Sequence, residues 1–550
     1  MNECKQKLMK ERRLLSVELV QKRRSLAFFL LPPLLVFLAW LYLPATRGDF
    51  VADDYVFIAT ARMVDTPLAA FWQSHFYEPY YFRPLGVLSW WVATRLFGLD
   101  YSAHSLINLS LHAANVSVLW LLLRALALRT EAVIAGVVLF ALGPFSLATI
   151  LWPSNRFDLL AVGFLLLQAI AMLRMLRGNL LALPLAMLAA LAACWSKELA
   201  YPVATALTCL SLGASGVEWQ RRIVFFGLLS STIAGAFFVR RVIVTDAYFL
   251  ASADPIGQIL AGAATMVLLL PKLTELIIGG ERLPWLAGGL LTALLAALIW
   301  RRGVTRASIL LLAGAVLVAM AAFIVQTPLA KNFAIMLDSN SFGTVTFARF
   351  YYAPWAAACV AMALLVADAR LSKIVALTIV STTLVAALAA RPLPEAFARW
   401  TRDEVRPVSL AATEAIESGI VSNQPCVFVF LGTQAAHPYF RMFSDVTVKA
   451  RTTMPDAVWR CYVMTESTPW LFAFPSSLSP IDLPLRAIET GNGLSKLDST
   501  WSSIRYRYRL PTESLSTLPD ARFFGWRGNR FTDVTDQVRQ GKLEPKSQNW

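Results

Sequence analysis

Residues 132–151 read AVIAGVVLFALGPFSLATIL, residues 152–156 read WPSNR, and residues 157–173 read FDLLAVGFLLLQAIAML. Each apolar run approaches the roughly 20 residues that an α-helix needs to cross a bilayer. Arg124 and Arg129 precede the first run, and Arg174 and Arg177 follow the second. A chain that crosses, turns and returns brings those basic ends to one side and leaves residues 152–158 on the other. Basic helix ends belong on the cytoplasmic side. The stretch is therefore a membrane helical hairpin whose WPSNRFD turn faces outward, and that fixes the sidedness of everything around it.

The same alternation runs outward in both directions. The 550 residues are 57% apolar and 15% charged, against about 45–50% and about 25% in ordinary soluble domains, and the mean hydropathy is +0.56. A wholly soluble chain is excluded. The net charge of +15 would suggest nucleic-acid binding in a soluble protein. Here the basic residues gather at 5–24, 124–129, 174–177, 221–222, 301–306 and 370–373, as punctuation between apolar runs. No nucleic-acid partner is expected.

Eleven spans follow: 26–44, 104–123, 132–151, 157–173, 180–195, 199–213, 223–244, 284–300, 308–325, 351–367 and 374–390. The first is read as retained, because PATRGD after it lacks a small-x-small cleavage site. Residues 1–25 form a cytoplasmic basic N-terminus, and residues 26–391 form an all-α polytopic membrane domain. Residues 45–101 are its first outer loop. An odd number of spans places residues 392–550 outside. Residues 84–97 and 256–280 lie in the interface or dip in and return.

After Arg391 the composition changes, and CVFVFLGT, WRCYVMTE, WLFAFP and IRYRYRL alternate with polar stretches while 408–420 has a helical pattern. The C-terminal domain is thus read as soluble mixed α/β. The six cysteines show no CxxC and no zinc spacing, and only Cys426 and Cys461 are placed to meet in an oxidising compartment.

The polar intrusions fall on one side of this topology. The first outer loop carries Asp49, the adjacent pair Asp53 and Asp54, and Tyr81-Phe-Arg83-Pro-Leu. Neighbouring carboxylates raise each other's pKa, and one held at a lipid boundary suits a general base or a cation site; a solvated loop with an acidic helix cap is the plain alternative. Arg156 and Asp158 open the fourth span, Lys197 and Glu198 sit between the fifth and sixth, and Arg349 and Tyr352 open the tenth. Ionisable groups near a bilayer are costly unless they pair or serve a site. In the second span His104, Asn108 and His112 recur every four residues, with Asn115 near them, and so share a face turned from lipid. That stripe either bonds helix to helix or lines the cavity.

The acidic pair, aromatic-Arg-Pro-Leu, H-x-x-x-N-x-x-x-H, N-R-x-D-L-L-A and S-K-E, in that order over residues 49–201, together with R-F-Y-Y-A-P at 349–354, resemble the GT-C membrane glycosyltransferases. The likeness is to the protein O-mannosyltransferase type that bears tetratricopeptide repeats and, more distantly, to the lipid A aminoarabinose transferases. Asn155 stands where that family commonly has Gly, and Phe82 where Tyr is usual. No repeat with a period of 20–50 residues is visible, so a tetratricopeptide tail is not expected.

What the resemblance implies is transfer of a sugar from a polyprenyl-phosphate donor to a hydroxyl of a protein, lipid or glycan acceptor, at the extracytoplasmic face of a bacterial inner membrane, with inversion. Asp53 would be the base and Asp54 its orienting neighbour, or the reverse. Arg83, Arg349, Arg156 and Lys197 would hold the donor phosphate, with Arg240 and Arg241 as further candidates. His104, Asn108, His112, Asp158, Glu198 and Tyr352 would line the cavity. No cofactor is expected, since the likeness is to members that work without a metal, although Asp49, Asp53 and Asp54 are hard oxygen ligands that suit Mg2+ or Mn2+. Two rival readings are a transporter or flippase of a lipid-linked or polar solute, and a polysaccharide polymerase or ligase using diphosphate-linked donors.

Overall fold

The computed structural model describes residues 30–63, 66–72, 82–213, 217–244, 257, 259–260, 263–264, 306–323, 349–369, 372–420, 426–433, 447–454, 458, 461–465, 470–472, 495–496, 507–509 and 521–543. The helices within them are α1 (Leu31–Tyr42), α2 (Asp53–Met63), α3 (Pro84–Phe97), α4 (Tyr101–Ala125), α5 (Thr130–Leu142), α6 (Pro144–Leu151), α7 (Arg156–Leu176) and α8 (Ala182–Ser196). Then come α9 (Ala200–Leu210), α10 (Trp219–Ile243), α11 (Arg306–Phe323), α12 (Tyr352–Asp368), α13 (Ser372–Ala389), α14 (Pro392–Trp400), α15 (Arg406–Gly419) and α16 (Thr535–Arg539).

The protein is a multi-pass membrane protein. Among the described residues five helical stretches are long and apolar enough to cross a bilayer: Tyr101–Ala125, Pro153–Leu176, Trp219–Ile243, Arg349–Asp368 and Ser372–Gly419. A sixth is the pair α5 and α6, bent by 41°. The bend sits at Gly143 and Pro144 because proline cannot donate the backbone bond that a continuous helix needs. Leu31–Arg47, Ala182–Ser196 and Ala200–Gly213 are shorter apolar helices. Eleven full spans are not reached among the described residues; 284–300 and nearly all of 256–280 lie outside them. Residues 84–97 form α3, which at 14 residues is about 21 Å long, too short to cross.

The chain divides into two compact units. The first comprises Met1–Pro44, Ser105–Phe237 and Ser252–Pro394. Its helices pack through small residues: Ala171, Ala182 and Ala186 meet Phe225 and Leu229, and Ala132 and Ala135 meet Val366, Ala376 and Ile379. Gly163 faces Asn115 so closely that a Cβ there would come within 2.5 Å of its Oδ1. Small side chains of this kind let membrane helices approach and bond across their backbones.

The second unit comprises Ala45–His104, Phe238–Ala251 and Glu395–Trp550. In it α2 packs on α3 through Phe57 and Trp90, whose rings lie 5.5 Å apart. The strands are β1 (Cys426–Leu431), β2 (Cys461–Thr465), β3 (Trp470–Phe472), β4 (Ser495–Lys496), β5 (Arg507–Arg509), β6 (Ala521–Arg527) and β7 (Arg530–Asp533). One sheet runs β2-β1-β6-β7, with β1 parallel to both β2 and β6 and β7 antiparallel to β6. A smaller sheet runs β3-β5-β4. The apolar stripe Val408, Ala411, Ala412, Ala415 and Ile416 of α15 repeats with helical period and buries against Phe428, Phe430, Val463, Phe524 and Phe531 of the larger sheet. The mixed α/β pattern of the sequence is what folds.

Cys426 and Cys461 are register partners on adjacent strands, and Cys461 is disulfide-bonded. Trp526 packs at a tilt against Phe531, ring centroids 4.8 Å apart, beside the core of the larger sheet.

Candidate active site

In the membrane unit the turn between α6 and α7 is the organising element. Trp152 has extended backbone, Pro153–Asn155 make one 3-10 turn, and α7 starts at Arg156. Asn155 ties this turn back with its amide, donating to the carbonyls of Ala148 at 3.3 Å and Thr149 at 3.1 Å. Its Oδ1 accepts from Arg349 Nη1 at 3.3 Å. Asn155 therefore ties its own turn to Arg349.

Arg349 lies over the Trp152 ring, 4.5 Å from its centroid, and 4.8 Å from the Phe350 ring. Lys197 approaches that same Phe350 ring at 5.2 Å and forms an ion pair with Asp158. Two cations from distant parts of the sequence thus meet one aromatic ring, an attraction that strengthens where water is scarce. Arg156 is fully buried and its Nε donates to Asn108 Oδ1 at 3.3 Å. Asp158 and Glu198 are 2% and 3% exposed. Asp158 Oδ2 takes Lys197, while its Oδ1 has no hydrogen-bond donor among the described residues.

The His104, Asn108 and His112 stripe is buried throughout. Asn108 donates to the carbonyls of Trp152 and Pro153 at 3.0 and 3.2 Å. Both ring nitrogens of His112 are occupied, by the Tyr352 hydroxyl at 2.7 Å and the Ala141 carbonyl at 3.1 Å. These side chains join helix to helix, and Tyr352 is fully buried among them.

In the second unit His104 bonds the Gly98 carbonyl at 3.2 Å, and its ring lies tilted to that of Trp90 with centroids 5.1 Å apart. Arg83 is the half-buried N-cap of α3, and Pro84 supplies the preset first turn. The acidic pair opens α2. Asp54 is fully buried and accepts the Val51 amide at 3.0 Å, whereas Asp53 is half-buried. Ala52, immediately before them, has φ +51°. A non-glycine residue in that left-handed region is uncommon and is held there by its surroundings. Arg240 is buried near the end of α10, and Arg241 beside it is exposed.

No family model matches the chain, and no curated protein matches it significantly. Among solved structures the chain is similar to ArnT. The ArnT of Cupriavidus metallidurans in the apo state aligns at 13% identity and a TM-score of 0.45, covering 78% of this chain and 84% of that one. The same protein bound to undecaprenyl phosphate aligns at 13% identity and 0.44, over 80% and 90%. The Archaeoglobus fulgidus oligosaccharyltransferase, in complex with zinc and sulfate, aligns at 14% and 0.41, over 76% and 62%.

The sequence reading missed the anchorage of the first outer loop. Asp49 Oδ2 accepts from Arg451 Nη2 at 2.7 Å and pairs with Arg406 Nε at 3.3 Å, while its Oδ1 takes the Phe50 amide at 2.7 Å. Its own amide donates to Thr401 Oγ1 at 2.9 Å. Arg451 also donates to the Tyr55 hydroxyl at 3.0 Å, and that hydroxyl donates to Ser409 Oγ at 3.4 Å. Burial pushes the Tyr55 phenol up to about 12, so it stays neutral. Burial alone would lower the Arg451 guanidinium, but Tyr55 and Asp49 outweigh it and hold it above its ordinary value. Partners hundreds of positions apart leave no periodic trace in a sequence.

Proposed function

We propose that the chain is a GT-C-type membrane glycosyltransferase that moves a sugar from a polyprenyl-phosphate donor to an acceptor hydroxyl at the extracytoplasmic face, with inversion at the anomeric carbon. The observation that carries this reading is the meeting of Lys197 and Arg349 at Phe350, at one end of a set of apolar helices. Charges kept at membrane depth are costly and mark sites. A phosphate leaving group is the chemistry that fixed cations at a membrane surface serve best.

In this reading the acceptor oxygen forms a bond to the anomeric carbon as the bond from that carbon to the phosphate oxygen breaks. The departing oxygen keeps the electron pair, and Arg349 and Lys197 stabilise its charge. The acceptor proton passes to Asp53, whose partial exposure at the start of α2 suits a base. Asp54, buried on the Val51 amide, holds the turn. Arg83 and Arg156 are further phosphate contacts. The acceptor is a protein, lipid or glycan hydroxyl.

The N-terminus is placed in the cytoplasm and residues 392–550 outside it, in a bacterial inner membrane. A disulfide at Cys461 supports that side, since disulfides persist in oxidising compartments. No metal is required in this mechanism, and turnover is expected to persist in chelator.

The deciding experiment incubates purified protein with synthetic polyprenyl-phosphate sugars and measures release of polyprenyl phosphate. Asp53→Asn is expected to lower turnover by roughly 10²- to 10⁴-fold, the usual contribution of a positioned base. No turnover with any donor, or unchanged turnover in both Asp53→Asn and Asp54→Asn, would defeat the proposal.

A further inference from the structure

We propose that Arg451 is a positioning residue for the acidic pair, so that the C-terminal segment takes part in the reaction; this rests on the glycosyltransferase reading above. One guanidinium bonds residues on both flanks of the turn that carries Asp53 and Asp54. Its Nη2 holds the Asp49 carboxylate at 2.7 Å, four residues before Asp53. Its Nε holds the Tyr55 hydroxyl at 3.0 Å, two residues after, and its charge lies 5.3 Å from the Tyr55 ring centroid. The Arg451 side chain is 7% exposed and that of Asp49 is 8% exposed.

Between those two grips lies Ala52 at φ +51°. A left-handed alanine relaxes unless the chain on either side is pinned. The pins are the Arg451 fork, the Thr401 hydroxyl on the Asp49 amide, and the Asp54 carboxylate on the Val51 amide. Arg62, near the far end of α2, donates to the Thr452 carbonyl at 3.1 Å, so two neighbouring residues of the C-terminal segment engage α2, Arg451 near its start and Thr452 near its end. The direction in which Asp53 leaves this turn is therefore set by a side chain from a different part of the chain. Lysine cannot reproduce the fork, because its single ammonium lacks the planar pair of donors.

The test compares wild type with Arg451→Met, Arg451→Lys, Arg451→Ala and Tyr55→Phe, reading kcat and KM from polyprenyl phosphate release. Hydrogen exchange of the 49–55 amides and thermal unfolding are measured alongside. A misplacement of about 1 Å costs up to roughly 10²-fold, so folded Arg451→Met is expected to lose 10- to 100-fold in kcat with donor KM little changed. Its 49–55 amides exchange faster, Arg451→Lys recovers only part of the loss, and millimolar guanidinium restores turnover to Arg451→Ala. A merely structural staple would give a loss that follows the unfolded fraction, with no rescue, and would overturn the proposal. So would folded Arg451→Met with wild-type kcat and unchanged exchange at 49–55. Should Arg451→Met not fold, wild-type kcat in both Arg451→Lys and Tyr55→Phe overturns it, while a fall in kcat alone supports it. If wild type itself turns over no donor, the glycosyltransferase reading fails, and the exchange measurement still judges the clamp.

Discussion

His112 and Tyr352 stand 240 positions apart and share a 2.7 Å hydrogen bond inside the membrane unit. Because the Ala141 carbonyl can only accept, His112 Nε2 carries the proton, and Nδ1 accepts from the tyrosine hydroxyl. That hydroxyl in turn accepts from Asn115 at 3.2 Å. Tyr352→Phe is expected to cost about 0.5–1.5 kcal/mol, the range found for hydrogen bonds between membrane helices. His112→Ala and Tyr352→Phe together should destabilise by less than the sum of the two, as partners in one network do. Thermal unfolding in detergent of both single variants and the double variant measures the coupling; strict additivity would show that the bond contributes nothing.

The ion pair of Lys197 with Asp158 separates folding from function. Lys197→Met leaves a buried carboxylate alone, which costs about 3–5 kcal/mol. Adding Asp158→Asn removes the stranded charge, so the double variant is expected to unfold near the wild-type temperature. Turnover should not return with it, because the cation proposed for the donor phosphate is still missing. Unfolding midpoints and polyprenyl phosphate release, measured on the same preparations, decide this; a double variant with wild-type turnover would remove Lys197 from the site.

Several of the apolar helices were legible because bilayer thickness imposes a length on them. The hairpin around residues 152–156 falls where the sequence places it, whereas the bond from Arg349 to Asn155 joins positions 194 apart and has no local signal. The break at Gly143 and Pro144 was hidden, since the apolar run continues through it. The stripe of His104, Asn108 and His112 has the expected face, yet its use in bonds to the Trp152, Pro153 and Ala141 carbonyls depends on neighbours that periodicity does not name. Asp49 was visible as a carboxylate, but its partners Thr401, Arg406 and Arg451 lie beyond any local pattern.

The disulfide gives a test of sidedness that needs no substrate. Cys461 is bonded, while Cys194 and Cys359 are buried free thiols and Cys209 is an exposed free thiol. In unfolded, unreduced protein a maleimide is expected to label Cys194, Cys209 and Cys359 and to miss Cys461. Reduction should add Cys461 to the labelled set and destabilise the fold by about 2–5 kcal/mol, the usual cost of losing a native disulfide, read as a lower unfolding temperature. Peptide mass mapping reads the outcome, and labelling of Cys461 without reductant would remove both the bridge and its support for an extracytoplasmic domain.

Gly48 provides the last test, of how tightly the first outer loop is seated. A Cβ at that position would come within 2.7 Å of Thr401 Oγ1, 3.0 Å of a Tyr101 ring carbon and 3.2 Å of the Ala398 Cα. The Ala398 contact is with backbone, and Thr401 is committed to the Asp49 amide and to the carbonyls of Phe397 and Ala398, so neither gives way easily. Gly48→Ala is therefore expected to cost about 1–3 kcal/mol, the usual penalty of overpacking, and to lower kcat by loosening the turn that leads to Asp53. Thr401→Ala removes the nearest clash but also the acceptor of the Asp49 amide. Gly48→Ala with Thr401→Ala should then regain part of the unfolding temperature and little of the turnover. Full recovery of both would mean that the Asp49 amide bond has no part in placing the acidic pair.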